Sequence, residues 1–558
     1  MLTASLMRRN LAVAILFVSL LVIGFYSQPY VDTERFINSI PYTSKNLKAS
    51  SSHAHAPSPP PEPLPEPSLT PVPSSDDVES LPLSPPPPPA QEPIDTKPVV
   101  KTSRLHYLIP ASQPNLHFCY NLASSLVNRF PVPILLGWHG VDEFDAAKTH
   151  LAKLRAVERY FNTLPPEEDD DLVIIVDGYD ILMQLPAEIM VERYFELAAR
   201  ADARLAERFG LTVEQLHDRG LRQTIFWGPD KICWPIDPRA SRCWAAPASP
   251  IPREAFGLDK QDDPMFYADP RWLNSGTVMA PIGDMKRYLA ATMDEIRATH
   301  DPEYEFKESD QYYLSNVWGR QEYWRSRIAS NGGDVLGGPP DRIIPDKRTE
   351  DQETEYHIAI EYESALFQTR AGYQPYFGYM QFNNSDLSAT QTKDVHDEGP
   401  EFQPTKIKMP TNVETALSKL YDDIPEAHPG SVASDWIRVA ELGVNFITHH
   451  IYALWHCTGP KEFVGLEYPT LWFYPFVKSL LRANVKASQS GEPISSKLID
   501  GRQWAPKTVF PGRGSLDDEY GGAWTDFDEE RFVPWKVLCG AHEELLFKGE
   551  HKPAAEPL

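Results

Sequence analysis

Cysteine is scarce in this chain of 558 residues, and cations are outnumbered. The five cysteines (Cys119, Cys233, Cys243, Cys457 and Cys539) contain no CxxC pair. That excludes a disulfide scaffold and the common structural zinc sites. Cys233 and Cys243 lie close enough in sequence to close a small loop; five reduced thiols are the alternative. Lys and Arg number 53 against 78 Asp and Glu, a formal net charge of −25. Nucleic acids are held mainly by Lys and Arg, so this deficit argues against a nucleic-acid partner. It also sets a problem, because a phosphate-bearing ligand would need a local cation. No P-loop signature and no HExxH stretch is present, which disfavours a nucleotidyl or phosphoryl transferase and a zinc protease.

What is present is globular. Hydrophobic residues make up 42% of the chain and aromatics 11%. Those fractions exclude wholesale disorder, and the length permits a large core and up to about three or four domains. Proline is plentiful only locally: 17 of the 54 fall between residues 51 and 100. Proline fixes φ and lacks a donor, so this stretch joins neither helix nor sheet and predicts an extended, polyproline-like spacer. Before it, Leu11 to Tyr26 is an apolar run, about 24 Å long as a helix. That length suits a thin secretory-pathway membrane. Arg8 and Arg9 precede the run, while Asp32 and Glu34 follow it, which places the N-terminus in the cytosol. A cleaved signal peptide competes with this reading, but residues 23–28 offer a poor cleavage site.

The expected organisation is therefore a cytoplasmic tail (1–10), a transmembrane signal anchor (11–27), a Pro-rich disordered stem (28–103), a globular domain (104–485) and a loop-rich C-terminal extension packed on it (486–558). This is a single-pass type II membrane protein with its globular part in the Golgi or ER lumen. A lumen tilts the cysteine question toward a Cys233–Cys243 bridge, with the other cysteines free or buried. Asn383, in Asn-Asn-Ser, is the sole N-x-[ST] sequon and suits a luminal face.

The globular part reads as α/β. Residues 104–109, 132–138, 172–176 and 224–227 look like strands. Residues 118–128, 145–161 and 187–209 have helical spacing, with Asp145 as a cap. Leu172 to Val176 (LVIIV) is an unbroken apolar run, as in a strand covered on both faces. Alternating strands and helices predict a mostly parallel, Rossmann-like mixed sheet flanked by helices. Ligands sit at the carboxyl ends of such strands. After Val176 come Asp177 and Asp180, and a turn through Gly178 brings the two carboxylates together. Paired hard oxygens suit Mn²⁺ or Mg²⁺. Asp169 to Asp171, before the same strand, read as a solvated loop. A pair of helix-capping aspartates is the bland alternative for Asp177 and Asp180.

The stretch VIIVDGYDILMQLP resembles the glycosyltransferase domain of the lysyl hydroxylase/procollagen glucosyltransferases. TIFWGPDKICWPID (224–237), WLNSG (272–276), ESDQ (308–311) and YESALFQ (362–368) resemble further segments of that family in the same order. The chain is also similar to fungal type II membrane glycosyltransferases. No HxD…H iron site accompanies these segments, so only the sugar-transfer half carries over. The resemblance, distant and covering about residues 104–480, implies a GT-A-like fold. It also implies a retaining transferase using a nucleotide sugar, a UDP-sugar first. His456-Cys457-Thr458-Gly459-Pro460-Lys461 resembles the His-x-x-Gly-x-x-Lys element of glycogenin-like transferases, where the His ligates the metal and the Lys meets the diphosphate. An imidazole added to two carboxylates suits Mn²⁺. Gly459 would let the backbone approach a phosphate, and Lys461 would neutralise it.

The expected site is thus Asp177, Asp180 and His456 for the metal. Asp177, Lys461, Gly459, Lys153 and Arg155 would hold the donor. Asp310, Gln311 and Asn274 would stand near the reacting sugar. Asp310 within reach of the acceptor would be a general base and would imply inversion; the resemblance favours retention. Each has a structural alternative: a core histidine, a helix start, a tight turn, a solvated helix face. His449 and His450 read as structural, and Trp227, Trp272 and Trp472 as sugar-stacking or core residues. The expected reaction moves a sugar to a luminal hydroxyl on a glycan, glycoprotein or glycolipid. Ser309, standing where the family has Asp, keeps a second reading open: an inactive pseudo-glycosyltransferase serving as a luminal binding or scaffold module.

Overall fold

The computed structural model describes residues 100–257, 264–333, 336–396, 398–512, 519–526 and 531–550. The expected anchor, and the stem apart from residues 100–103, lie outside the described residues. Among the described residues no helix is long and apolar enough to cross a membrane.

The main sheet is mixed and flanked by helices. Its strands are β1 (Thr102–Pro110), β2 (Ile134–Leu136), β3 (Leu172–Val176), β5 (Ile225–Asp230), β6 (Trp272–Pro281), β7 (Ile358–Ile360), β14 (Gln503–Pro506), β15 (Gly522–Thr525) and β16 (Phe532–Pro534). They lie in the order β16-β15-β2-β1-β3-β6-β5-β7, with β14 also on β1. β1 runs parallel to β2, β3 and β14, whereas β6 is antiparallel to both β3 and β5. A smaller sheet stands beside it: β4 (Ile181–Met183), β13 (Leu454–His456) and β8 (Phe367–Thr369), with β13 in the middle. Two further ladders pair β9 (Phe377–Gln381) with β12 (Glu441–Asn445), and β10 (Ser388–Gln391) with β11 (Thr405–Lys408).

The unbroken apolar run of β3 has the cause expected of it. Successive side chains of a strand point to opposite faces. Leu172, Ile174 and Val176 enter one core with helix α1 (Leu116–Val127) and the inner face of α3 (Ala187–Arg208). Val173 and Ile175 enter a second core with α2 (Leu151–Asn162), α4 (Ile282–Thr299) and α5 (Asp310–Ala329). All five side chains are buried. Each contributes about 1.5–3 kcal/mol of transfer free energy. Asn115 caps α1 by accepting a hydrogen bond from Phe118 N at 2.9 Å.

Three local expectations are corrected. The helix read from residue 145 begins at Leu151, and Asp145 instead accepts from Ala147 N at 3.0 Å in a turn. The strand read as 224–227 runs on to Asp230. Asp169 to Asp171 are not merely solvated. Asp169 pairs with Lys286 at 2.8 Å and Asp170 with Lys101 at 2.6 Å. Asp171 is buried and accepts from Arg104 N at 2.8 Å.

Segment 486–558, expected as loops on the domain, supplies β14, β15 and β16 to the sheet itself. Cys539 then bonds to Cys119 on α1, across a sequence separation of 420, while Cys233 bonds to Cys243. Cys457 is a buried free thiol. A cross-link constrains the unfolded chain more when it closes a longer loop. Cys119→Ser is therefore expected to cost about 2–5 kcal/mol and to exceed the cost of Cys233→Ser. Urea unfolding midpoints under non-reducing conditions check this; equal losses would contradict it.

Candidate active site

The site begins where β3 ends. Asp177 N donates to Gly276 O at 2.8 Å, tying the end of β3 to β6. Asn121 on α1 donates to Asp177 O at 3.0 Å and supports the turn. A Cβ on Gly178 would stand 2.7 Å from Pro110 O, so the turn closes only over glycine. Asp180 follows, immediately before β4.

β13 brings the distant partner. His456 pairs across the ladder with Ile181, and Cys457 N donates to Asp180 O at 2.8 Å. That register places His456 Nε2 3.1 Å from Asp180 Oδ2. Ligand atoms of Asp177, Asp180 and His456 all lie within 4.8 Å of one another. Asp180 and His456 are each only 3% exposed, so their spacing is set by the fold. Lys461 also donates to Asp180 Oδ2. Burial opposes the charge on Asp180, but His456 and Lys461 outweigh it and hold the carboxyl well below the usual carboxylate range. Asp180 Oδ1 is nonetheless buried with no hydrogen-bond partner among the described residues. A buried carboxylate oxygen without a partner is costly. An ionised carboxylate with an open oxygen, a second carboxylate and an imidazole form a donor set that fits Mn²⁺ or Mg²⁺.

A bulge shapes the wall opposite. Trp227 pairs with Val278, but the next residue, Gly228, pairs with Asn274, so residues 275–277 are looped out of the β5–β6 ladder. Bulges re-aim side chains and recur beside active sites. Here the bulge presses Gly276 into the triad. A Cβ on Gly276 would lie 2.2 Å from His456 Cε1 and 2.9 Å from Asp177 Oδ2. Asn274 Oδ1 accepts from Gly276 N at 2.9 Å and holds the turn.

Lys153 reaches in from α2. It donates to Asp177 Oδ1 at 2.6 Å and to Ser275 O at 2.8 Å, and it pairs with Asp310 Oδ2 at 3.0 Å. Burial works against its charge, but Asp177 and then Asp310 hold its pKa above the usual lysine value. Asp310 Oδ1 accepts from Ser275 Oγ at 3.2 Å and from Gln311 N at 2.8 Å. Both oxygens of Asp310 are thus engaged within the protein. Ser309 caps α5, accepting from Tyr312 N at 3.3 Å.

These groups surround a cleft with a cavity volume of about 270 Å³. Asp177, Asp180, Asn274, Gln311, His456, Gly459 and Lys461 line it. Gly459 has φ +89°, a backbone that favours glycine. Lys153 and Asp310 stand behind the lining and hold Asp177. Arg155 is not brought in: two positions past Lys153 on the helix, it donates to Glu143 O at 2.8 Å. His450 faces Glu363 at 3.5 Å. Trp227 and Trp472 are core residues, and Trp272 is half-buried with its indole NH 3.4 Å from Cys243 O.

Sequence reasoning missed Asp230, Lys231, Trp234 and Thr458, which also line the cleft. Asp230 Oδ2 accepts from Gln311 Nε2 at 3.0 Å and Asn274 Nδ2 at 3.2 Å. Loss of solvent pushes its carboxyl up to about 6, against those two hydrogen bonds. The signal that singled out Asp177, an acid at the carboxyl end of a strand, also marks Asp230 once β5 is extended by three residues. No family model matches the chain, and no curated protein matches it.

Gly276→Ala tests the packing of the site. The added methyl must displace His456 or Asp177, so Mn²⁺ affinity is expected to fall by about 10–100-fold. Unchanged Mn²⁺ affinity by calorimetry, in a variant with wild-type thermal stability, would contradict the close approach.

Proposed function

We propose that the protein is a metal-dependent glycosyltransferase with a GT-A-like fold, moving a sugar from a nucleotide sugar, a UDP-sugar first, to an acceptor hydroxyl. The observation that carries this reading is the convergence of Asp177, Asp180 and His456 at the carboxyl end of β3, with Lys461 beside them. The mixed sheet with antiparallel β6, and a cleft at its strand ends, are in keeping with such a fold.

Asp177, Asp180 and His456 would hold the Mn²⁺ or Mg²⁺. When bound, the ion supplies Lewis-acid charge for a leaving diphosphate. Lys461, which pairs with Asp180 and lines the cleft, would add positive charge at the oxygens of that diphosphate. Gly459 leaves its backbone open to the same group. Lys153 fixes Asp177 and has Asp310 as counterion, so Asp310 acts by positioning Lys153 rather than as a base. That removes the support for inversion through Asp310 and leaves retention as the expected outcome. Ser309, as a helix cap, explains why a hydroxyl serves where the resembling family has Asp.

Two disulfides suit an oxidising compartment. Asn383 is exposed in the loop after β9, as a glycosylation acceptor must be. Both support a luminal domain in the Golgi or ER, tethered through the N-terminal apolar run. The acceptor would be a glycan, glycoprotein or glycolipid met there.

The test is Mn²⁺-dependent transfer or donor hydrolysis across UDP-sugars. Chelation is expected to abolish activity and added Mn²⁺ to restore it. Asp180→Asn removes a direct ligand, so its loss of Mn²⁺ affinity is expected to exceed the about 10–100-fold cost of an outer-shell change. Full activity in Asp180→Asn, or in the presence of chelator, would refute the metal role.

A further inference from the structure

At the other end of β3, away from the cleft, a histidine is buried between two acids. His106 lies on β1 opposite Val173 of β3 and shares a face of its strand with Leu108, which packs into the second core. Its side chain is 0% exposed. On one edge of the ring, Nδ1 lies 2.8 Å from the hydroxyl of Tyr160 on α2. On the other edge, Nε2 is buried with no hydrogen-bond partner among the described residues. It is aimed between Glu168, which ends the turn Pro166–Glu168, and Asp171, which immediately precedes β3. Glu168 Oε2 stands 3.6 Å from Nε2 and Asp171 Oδ2 stands 3.7 Å from it.

Neither distance is that of a hydrogen bond. Both are close to the separation of two ligands on one tetrahedral ion, since metal–ligand bonds of about 2.0–2.2 Å set neighbouring ligand atoms about 3.3–3.6 Å apart. Ligand atoms of His106, Glu168 and Asp171 all lie within 4.8 Å of one another. Burial is the largest influence on His106 and holds its pKa below the usual histidine value, so the ring is neutral. With Nδ1–H donated to Tyr160, Nε2 presents a lone pair to two carboxylates, and a cation between them satisfies all three. A hydrogen bond on the far nitrogen is also how ligating histidines are oriented. Asp171 Oδ1 accepts from Arg104 N at 2.8 Å, which leaves Oδ2 turned to His106. The charge already present falls on Glu168: Lys507 donates to its two oxygens at 2.7 and 2.6 Å, and Arg104 approaches it at 3.9 Å. The side chains of Glu168 and Asp171 are 14% and 10% exposed, so an ion can enter from solvent.

We propose that His106, Glu168 and Asp171 form a second divalent-cation site, for Zn²⁺ first, which pins β1 to the turn ahead of β3. One imidazole and two carboxylates are a donor set that Zn²⁺ takes, with water in the fourth position. Asp171 and Asp177 are separated by six residues of extended strand, about 20 Å. The ion therefore stands apart from the cleft and serves the fold. Lys507 shares Glu168 with it, so this lysine competes with the ion for the carboxylate. The proposal does not depend on the glycosyltransferase reading.

The experiment titrates full-length His456→Gln protein, in which the cleft site is disabled, with Zn²⁺ by calorimetry. Thermal unfolding of each variant is followed alongside. One Zn²⁺ per chain is expected, with a higher unfolding temperature in the loaded protein. Adding His106→Gln removes a direct ligand, so Zn²⁺ affinity is expected to fall by more than the about 10–100-fold cost of an outer-shell change. Glu168→Gln, at a partly exposed turn, is the variant that decides if His106→Gln does not fold; its affinity is expected to fall by about tenfold or more. Lys507→Met takes positive charge away from the ion and is expected to raise Zn²⁺ affinity by about tenfold or more, a gain that a cluster of ion pairs without a metal would not show. Absence of Zn²⁺ binding in the His456→Gln protein overturns the proposal. So does binding that survives both His106→Gln and Glu168→Gln, or that Lys507→Met leaves unchanged or weakens.

Discussion

The register of β13 against β4 is the constraint on which the site depends. His456 and Asp180 lie 276 residues apart in sequence. Their spacing is set by the ladder that places His456 opposite Ile181 and ties Cys457 N to Asp180 O. A slip of one residue would turn the imidazole to the other face of the strand. The ladder is buried along its length: Ile181, Leu182 and Met183 on one strand, Leu454 and Trp455 on the other. Apolar packing therefore enforces the register that the polar site needs.

The same logic explains how an acidic protein tolerates so many carboxylates in one cleft. Asp180 is charged because His456 and Lys461 face it, and Lys153 pairs with Asp177 at 2.6 Å. Each lysine comes from a separate element and is restrained in turn, Lys153 by Asp310 and Lys461 by the backbone of Cys457. The net charge of the chain is thus offset locally and by position. At the end of the sheet where the strands start, Lys507 does the same for Glu168, at 2.7 and 2.6 Å. That lysine comes from the C-terminal segment, so the segment contributes electrostatics as well as strands.

Much of this was legible in the sequence, for physical reasons. An unbroken LVIIV can be stable only if covered on both faces, and that fixed β3 and drew attention to Asp177 and Asp180. His456 was legible because Gly459 and Lys461 follow it at a telling spacing. What escaped depends on pairing between distant segments. The bulge at residues 275–277 has no local signal, so Asp230 was not connected with Asn274 and Gln311. Residues 486–558 carry short, half-polar strands that look like loops until β1 and β2 offer them an edge. Cys119 and Cys539 meet only because of that edge. Arg155 was misplaced by pattern alone: two residues along a helix is about 200° around its axis, so Lys153 and Arg155 cannot both face one cleft.

The central claim is that His456 belongs to a metal centre and is not simply a buried core histidine. The most direct measurement is pulsed electron paramagnetic resonance of the protein loaded with one equivalent of Mn²⁺. The account predicts modulation from a directly coordinated imidazole nitrogen that disappears in His456→Gln. A bound Mn²⁺ without nitrogen coupling, or coupling that survives that substitution, would contradict it.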